Sequence, residues 1–222
     1  MTHLIAATLW LCLTVTPPSG IAVIAKQMGF VNVRELDPDL MVDLKYSSND
    51  NFMKMDVYGD LKECYLERSV AERLKRAHTS LRQIDSRYRF LIFDGLRPVS
   101  VQWIMWKLVK GTPDQAYVAN PASGTIHNYG ADVDLTVALL LTDGTVVHLN
   151  MGTPYDASIE EAQPRLEPAL LKAGRLTQEQ VSNRQLLRRA MNAGGFKVLP
   201  IEWWHFNAFS LAEAKRRIKP LQ

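Results

Sequence analysis

Cysteine is scarce in this sequence, and the scarcity limits how the fold can be held together. The 222 residues contain two cysteines, Cys12 and Cys64. A chain of this length can bury a substantial hydrophobic core without the help of disulfides. Its 47% content of hydrophobic residues agrees with a globular fold. We therefore expect one domain that is stabilised by hydrophobic packing.

The sequence also lacks a strong excess of either charge. Lys and Arg number 26 against 23 Asp and Glu, which leaves a formal net charge of +3. This balance is too small and too dispersed to indicate a nucleic-acid-binding face. Internal repeats and low-complexity linkers are missing as well. We expect no nucleic acid among the partners of this protein.

The first 25 residues contain no Lys, Arg, Asp or Glu. Within them, residues 4–15 form an apolar run of the length of a signal-peptide core, which is too short to span a bilayer. Val23-Ile24-Ala25 places small residues at the third and first positions before a cut after Ala25. We therefore predict a signal peptide over residues 1–25 and a mature domain over 26–222.

The predicted signal peptide bears on the cellular compartment of the protein, for which there is also an alternative. Removal of the signal peptide would leave Cys64 as the remaining cysteine, so an oxidising compartment is permitted without being required. We expect a periplasmic or secreted protein with no stable membrane insertion after processing. Because the basic residues that usually precede the apolar core are missing, a cytoplasmic protein with a buried or frayed N-terminal segment is the alternative.

Strand and helix patterns are mixed along the rest of the chain. A period of two over 40–46 predicts a strand, a less regular run over 30–36 predicts another, and 67–88 predicts an amphipathic helix. Further helices are predicted at 99–109, 159–173, 178–193 and 211–218, and further strands at 90–93, 133–141, 196–199 and 202–206, with a hairpin turn at Asp143-Gly144. Because strict βαβ alternation is missing, we predict an α+β fold with a central, mainly antiparallel sheet flanked by helices.

Two short stretches contain residue types that bind metals and move protons. The first carries His127 and Asp134, and the second carries Glu202 and His205. Two imidazoles and a carboxylate are the usual protein ligands of a catalytic zinc ion, and a further Glu can take a proton from water in a hydrolase. We therefore interpret the chain as a zinc peptidase that binds one zinc ion. The alternative is a structural histidine beside a loop carboxylate.

The spacing within each stretch places a condition on this hypothesis. His127 and Asp134 are seven positions apart, and Glu202 and His205 are three apart. Odd separations place side chains on opposite faces of a straight strand, and Gly130 argues against a continuous helix. Shared ligation therefore requires a bend near 128–130 and a bulge or strand end near 202–205.

Other residues near these stretches have competing interpretations. By strand alternation Asp132 shares a face with Asp134 and could compete with it as a ligand. We expect His3 in the signal peptide, and His78 and His148 as surface or packing residues. Trp203 and Trp204 are adjacent, so we expect both to pack and to shield the site from bulk water.

The motifs together resemble a known family. Thr125-x-His127-x-x-Gly130-x-x-x-Asp134 with Glu202-Trp203-Trp204-His205 is similar to the D-alanyl-D-alanine dipeptidases of the VanX type, within the wider group of zinc D,D-peptidases. The segment 46–58, Asp94-Gly95-Leu96-Arg97-Pro98 and Met151-Gly152-Thr153-Pro154-Tyr155-Asp156 also resemble the family in order. The resemblance runs from about residue 30 to the C-terminus. Two positions depart from it, since Thr125 replaces a usual Ser and Asp132 stands where a small residue is common.

The resemblance implies a role for each motif residue. His127, Asp134 and His205 bind zinc, and Glu202 is the general base that passes a proton to the leaving amine. Arg97 stabilises the oxyanion of the tetrahedral intermediate. The alternative for Arg97 is a salt bridge to Asp94 across the turn.

The chemistry of a free dipeptide adds a second set of expectations. The substrate carries an ammonium and a carboxylate a short distance apart, so an acidic group is needed at one end of the site and donors at the other. Asp156 is the candidate for the ammonium, with Tyr46 helping to enclose it. Ser123 and Thr125 are candidates for the carboxylate or backbone, with loop packing as the alternative. The expected reaction is hydrolysis of D-Ala-D-Ala in peptidoglycan metabolism. The alternatives are a D,D-carboxypeptidase or endopeptidase that acts on stem peptides, or a non-catalytic zinc-binding module.

Overall fold

A computed structural model describes residues 20–222 of the chain. Residues 1–19 of the predicted signal peptide, and with them His3 and Cys12, lie outside the described residues. The described part begins with a helix, Ile21–Gln27, that spans the predicted cleavage site and buries Ile21 and Ala25. None of the helices between residues 20 and 222 has the length and apolar composition needed to cross a bilayer.

Seven α-helices and eight strands occupy residues 20–222, and short 3-10 turns join several of them. The helices are α1 (Ile21–Gln27), α2 (Val33–Leu36), α3 (Arg68–Ile84), α4 (Val99–Val109), α5 (Glu167–Lys172), α6 (Gln178–Ala193) and α7 (Leu211–Arg217). The strands are β1 (Val31–Asn32), β2 (Met41–Val42), β3 (Tyr65–Leu66), β4 (Tyr88–Asp94), β5 (Asp132–Leu140), β6 (Val146–His148), β7 (Lys197–Leu199) and β8 (Glu202–Asn207).

A six-stranded sheet organises the domain around β5. The strand order is β2-β4-β5-β8-β7, and β6 pairs with the C-terminal half of β5 through the predicted hairpin. The N-terminal end of β5 pairs instead with β8. Of the strand pairs in this sheet, β2 with β4 is parallel and the others are antiparallel. The predicted α+β fold is therefore confirmed, with a sheet that is mixed rather than purely antiparallel.

The long helix α3 covers the sheet with one apolar stripe. Its residues Val70, Leu74, Ala77 and Leu81 recur at helical spacing and are fully buried. The helix α6 packs against α3, and Gly194 at its end lies so close that an added Cβ would be 2.6 Å from the Arg73 carbonyl oxygen. The two helices thereby pack together against the sheet whose strand ends carry the motif residues.

The N-terminal segment differs from the prediction of two strands. Asn32 ends β1 and caps α2, because its side-chain oxygen accepts the backbone N–H of Arg34 at 3.0 Å. The local cap therefore turns a segment of alternating pattern into a helical turn. The second predicted strand contains only the two residues of β2, and the segment Lys45–Ser47 after it is a 3-10 turn.

The predicted helix over 159–173 is also shorter than expected. The segment starts with two 3-10 turns, Glu160–Ala162 and Pro164–Leu166, and only α5 is α-helical. Pro164 and Pro168 explain the break, since each lacks a backbone N–H and is tolerated only near the start of a helix. Both stand at the beginning of the turn or helix that contains them.

Candidate active site

A sharp bend before β5 brings His127 and Asp134 to the same side. Residues Ile126–Tyr129 form a 3-10 turn, and Gly130 follows it with φ 56° and ψ 36°. An added Cβ at Gly130 would be 3.0 Å from the Glu67 backbone nitrogen and 3.1 Å from the Phe30 ring. Both the left-handed conformation and the close approach therefore require glycine. The bend that the odd spacing of His127 and Asp134 demanded is present.

A bulge in β8 brings Glu202 and His205 to the same side, as their odd spacing required. Asp134 of β5 stands directly opposite His205 of β8. On the other edge of β8, Val198 pairs with Phe206 while the next residue of β7, Leu199, pairs with Glu202. The register shift changes the facing of residues 202–205, so Glu202 and His205 both line one cavity.

His127, Asp134 and His205 form a compact donor group. One donor atom from each lies within 4.8 Å of the others, and all three residues are buried. The Asp134 oxygens lie 3.6 Å from His127 Nε2 and 2.9 Å from His205 Nδ1. Two nitrogens and one carboxylate oxygen, converging from three side chains, fit a zinc ion with a further position left for substrate. Asp132 is not part of this donor group.

The buried charges of the donor group shift one another's pKa. Burial alone would lower the pKa of His205, but the carboxylate of Asp134 raises it to about 10. Burial would raise the pKa of Asp134, and the charges of His127 and His205 lower it to about 2. The pKa of His127 is raised because Asp132 and Asp134 outweigh burial. The neighbouring histidines therefore favour the ionised form of Asp134.

Arg97 is held at the rim of this group by Asp94 and Gln102. Its Nε and Nη2 atoms donate to one oxygen of Asp94 at 3.0 and 2.5 Å, and Nη1 donates to Gln102 Oε1 at 2.8 Å. The alternative prediction of a salt bridge to Asp94 is therefore confirmed. Arg97 nevertheless lines the cavity, and its five N–H groups leave two that these bonds do not use.

Asp156 and Tyr46 line the same cavity and contact each other. The Tyr46 hydroxyl lies 3.0 and 3.1 Å from the two carboxyl oxygens of Asp156 and donates to that group. Asp156 has φ 61°, a left-handed conformation that Asp tolerates better than most residues. Burial, with the nearby charge of Asp134, raises its pKa to about 8. A cation at this position would stabilise the charged form.

Glu202 lies beside the donor group without belonging to it. Its Oε2 is 3.9 Å from His205 Nδ1, and 12% of its side chain is exposed. Burial and the charge of Asp134 raise its pKa to about 7, although His205 acts in the opposite direction. A carboxyl group with a pKa near neutrality can both accept and release a proton under physiological conditions.

A cavity of about 410 Å³ joins these groups. Of the residues that the sequence singled out, it is lined by Tyr46, Arg97, Thr125, His127, Asp134, Asp156, Glu202 and His205. Ser123 is exposed and does not line the cavity, so the structure does not bring it to the other residues. Trp204 lines the cavity and packs against Tyr155, while Trp203 is buried and donates to Thr153 Oγ1 at 2.8 Å.

Three contacts at the site were not predicted. The Tyr155 hydroxyl donates to Asp134 Oδ2 at 3.0 Å, Gln102 holds Arg97, and Asn207 Oδ1 lies 3.0 Å from His205 Nε2. Tyr155 precedes Asp156 in the motif of residues 151–156, and its place next to a predicted site residue could have indicated that it lies at the site. Gln102 and Asn207 gave no signal, since amides occur throughout the chain.

The histidines outside the site have the roles expected of them. His78 in α3 is fully buried, and its Nδ1 lies 2.8 Å from Asp37 Oδ2. His148 is exposed in β6. Neither lines the cavity.

Comparison with known proteins agrees with this geometry. Proteins named D-alanyl-D-alanine dipeptidase are similar to the chain in Escherichia coli (31% identical over 179 residues, 79% of this chain and 82% of the relative) and Enterococcus faecalis (26% over 194 residues, 80% and 90%). A third, from Streptomyces coelicolor, is 29% identical over 196 residues, 80% of this chain and 90% of the relative. The sequence profile of the peptidase family described as D-Ala-D-Ala dipeptidase matches residues 26–219. The chain therefore belongs to the D-Ala-D-Ala dipeptidase family of metallopeptidases.

Proposed function

We propose that this protein is a zinc-dependent dipeptidase that hydrolyses D-alanyl-D-alanine to two molecules of D-alanine in peptidoglycan metabolism. The observation that carries the proposal is the position of Asp156 in the same cavity as the donor group and Glu202. A metal-binding group alone would suit many hydrolases. The carboxyl group of Asp156 in the same cavity adds a site for the free amine that distinguishes a dipeptide from a longer peptide.

His127, Asp134 and His205 are the proposed holders of one zinc ion per chain. When bound, the ion supplies Lewis acidity that polarises the scissile carbonyl and makes water more acidic. Among first-row metals the two imidazoles and one carboxylate suit zinc well, and the buried setting of all three is typical of a catalytic site.

Asp156 would bind the substrate amine, and Tyr46 would hold Asp156. The carboxylate of Asp156 pairs with the ammonium, and the Tyr46 hydroxyl donates a hydrogen bond to that carboxylate. The ammonium also offsets the burial that raises the pKa of Asp156, so binding of the amine and ionisation of Asp156 favour each other. Thr125, which also lines the cavity, is the candidate donor for the substrate carboxylate.

Glu202 is the proposed general base and then the general acid. With a pKa of about 7 it is largely ionised just above neutrality, so it can take a proton from the attacking water. Once protonated it can return this proton to the leaving amine, because the same pKa permits both directions. Trp204 and Tyr46 line the cavity in which this exchange would take place.

Arg97 would stabilise the negative charge that develops on the carbonyl oxygen. Asp94 and Gln102 fix the guanidinium from the protein side, which leaves the remaining N–H groups available to the cavity. A donor oriented before the reaction needs no reorganisation when the charge appears. Asp94 therefore acts on the reaction by positioning Arg97.

The test measures D-alanine release from three substrates, with and without a chelator. D-Ala-D-Ala should be cleaved, and both N-acetyl-D-Ala-D-Ala and an intact stem pentapeptide should resist, because in both the nitrogen of the penultimate D-Ala is part of an amide and cannot pair with Asp156 as an ammonium. The chelator should abolish activity and zinc should restore it. Rapid cleavage of the acetylated dipeptide or the pentapeptide would favour a D,D-carboxypeptidase with the same metal centre. Absence of any cleavage by the zinc-loaded protein would favour a non-catalytic zinc-binding module.

We further propose that residues 1–25 are a signal peptide and that residues 26–222 form the catalytic domain of a periplasmic or secreted enzyme. The start of the family match at residue 26 supports the boundary. Intact-mass analysis of the protein from separated cell fractions tests it. A mature chain that begins at Lys26 outside the cytoplasm is expected, and a full-length cytoplasmic chain would contradict it.

A further inference from the structure

Asp132 is a fully buried carboxyl group at the start of β5. Its side chain has no exposed surface, and neither of its oxygens makes a hydrogen bond of full geometry with any of residues 20–222. A buried carboxylate is costly unless something compensates for its lost hydration. Neither the donor group nor the cavity lining includes it, so the proposed reaction leaves Asp132 without a role.

The positions of the two Asp132 carboxyl oxygens indicate a role for this residue. His127 presents Nε2 to Asp134 and Nδ1 to Asp132, at 3.6 and 3.0 Å. His205 presents Nδ1 to Asp134 and Nε2 to Asp132, at 2.9 and 3.5 Å. Each imidazole therefore lies between two aspartates. Asp134 faces the nitrogens that would ligate the metal, and each oxygen of Asp132 faces one of the other two nitrogens.

The remaining acceptors differ between the two rings. His127 Nδ1 also lies 2.8 Å from the Gly95 carbonyl oxygen, which can only accept a hydrogen bond, so this contact fixes the proton on Nδ1 by itself. His205 Nε2 lies 3.0 Å from the side-chain amide of Asn207. An amide can turn to present either an acceptor or a donor. When ionised, the Asp132 side chain can only accept, so its oxygen 3.5 Å from His205 Nε2 favours a proton on that nitrogen.

We propose that Asp132 is a positioning residue that orients both metal-binding histidines by accepting hydrogen bonds from their non-ligating nitrogens, with the larger effect on His205. The inference rests on the proposed ligand set of His127, Asp134 and His205. By keeping protons on His127 Nδ1 and His205 Nε2, Asp132 leaves the lone pairs of the opposite nitrogens directed at the metal. Such outer partners typically change metal affinity by about 10- to 100-fold.

The experiment compares zinc affinity, by chelator competition, among the wild-type protein and its D132N and D132A variants. Asn keeps one acceptor oxygen and Ala keeps none, so affinity should fall in that order and by about 10- to 100-fold for D132A. The matched control is D37N, which removes the buried carboxylate that faces His78, a histidine outside the cavity. This control should bind zinc as tightly as the wild-type protein.

A second measurement separates orientation from a general loss of structure. In the zinc-loaded protein, long-range proton–nitrogen NMR spectra should show the proton of His127 on Nδ1 and that of His205 on Nε2. In D132A the His205 signal should shift and its proton should exchange faster, while the His127 signal changes less because Gly95 still accepts its N–H. D132N, which preserves the shape of the side chain, provides the same comparison if D132A folds poorly.

The outcomes distinguish this inference from the proposed function. If the wild-type protein binds zinc and both variants match its affinity within about threefold, well below the effect typical of such partners, with unchanged imidazole signals, Asp132 has no positioning role. If the wild-type protein does not bind zinc stoichiometrically, the proposed metal site is itself wrong, and the inference falls with it. Weaker binding by the variants with an altered His205 signal supports both.

Discussion

Replacement of Asp156 by Asn should stabilise the metal-free protein near neutral pH while it weakens the binding of a free amine. Burial raises the pKa of Asp156 from 3.8 to about 8. In the unfolded chain the carboxyl group ionises near its ordinary pKa, whereas in the folded chain it keeps its proton up to about pH 8. The folded state therefore loses stability as the pH rises from about 4 to about 8.

The size of the effect follows from the two pKa values. At pH 7 the gap between the ordinary pKa and that pH is about 3 units, which corresponds to about 4 kcal/mol at 1.36 kcal/mol per unit. Asp156 is only partly buried and faces the cavity, so solvent screening should reduce this to about 2 kcal/mol. Asn has no titrating group, tolerates the left-handed backbone of position 156, and can still accept from Tyr46.

Urea denaturation of the chelator-treated proteins between pH 4 and 8.5 measures the difference in the free energy of unfolding between D156N and the wild-type protein. The free energy of unfolding of D156N should exceed that of the wild-type protein by an amount that grows with pH. D143N is the control, because Asp143 is exposed in the β5–β6 turn and its pKa is lowered by hydrogen bonds from Thr145. A gap between D156N and the wild-type protein that stays constant over this range would refute the argument. In the zinc-loaded enzyme, D156N should lower kcat/KM for D-Ala-D-Ala.

Four further predictions concern the reaction and the metal. E202Q should retain zinc by metal analysis and lose turnover. Wild-type kcat/KM should rise as the pH passes through about 7 in a pH–rate profile, because the carboxylate form of Glu202 accepts the proton. H205A should bind zinc at well below one ion per chain by metal analysis, since His205 is one of the three residues of the donor group. R97K should lose about 100- to 1,000-fold in kcat, because a lysine cannot hold Asp94 and Gln102 as a guanidinium does; unchanged turnover would contradict that role. Y155F should weaken zinc binding up to about tenfold in chelator competition, since it removes a hydrogen bond to Asp134.

Much of the fold could be predicted from periodicity. The helices α3, α4 and α6 and the strands β4 and β5 lie where apolar spacing placed them. The failures lie where a local contact overrides the pattern. Asn32 caps α2 inside a predicted strand, and Pro164 and Pro168 divide a predicted helix into turns. Short segments gain little from propensity, so one cap or one missing N–H decides their structure.

The site could be predicted in part for a different reason. The odd spacing of His127 and Asp134 demanded a bend, and the sequence placed Gly130 where the bend occurs. The pairing of Asp134 with His205 could not be read from local pattern, because strand register joins residues that are distant in sequence. The hydrogen bond between Arg97 and Gln102 could not be read from local pattern either. Strand alternation predicted that Asp132 and Asp134 share a face and that Asp132 could compete as a ligand, yet only Asp134 belongs to the donor group.

The charges around the cavity explain why Glu202 is suited to proton transfer. Five carboxyl groups lie in or beside the donor group and its cavity, namely Asp94, Asp132, Asp134, Asp156 and Glu202, and the exposed Asp114 also lines the cavity. Arg97 balances Asp94 directly. In the proposed roles, a divalent cation balances Asp134 and, through the two histidines, Asp132, while the substrate ammonium balances Asp156. Among these five groups, Glu202 is then the one to which no counter-charge is assigned. Burial raises its pKa to about 7 in the metal-free chain, and a pKa near neutrality is the property that a general base needs in order to return the proton it takes.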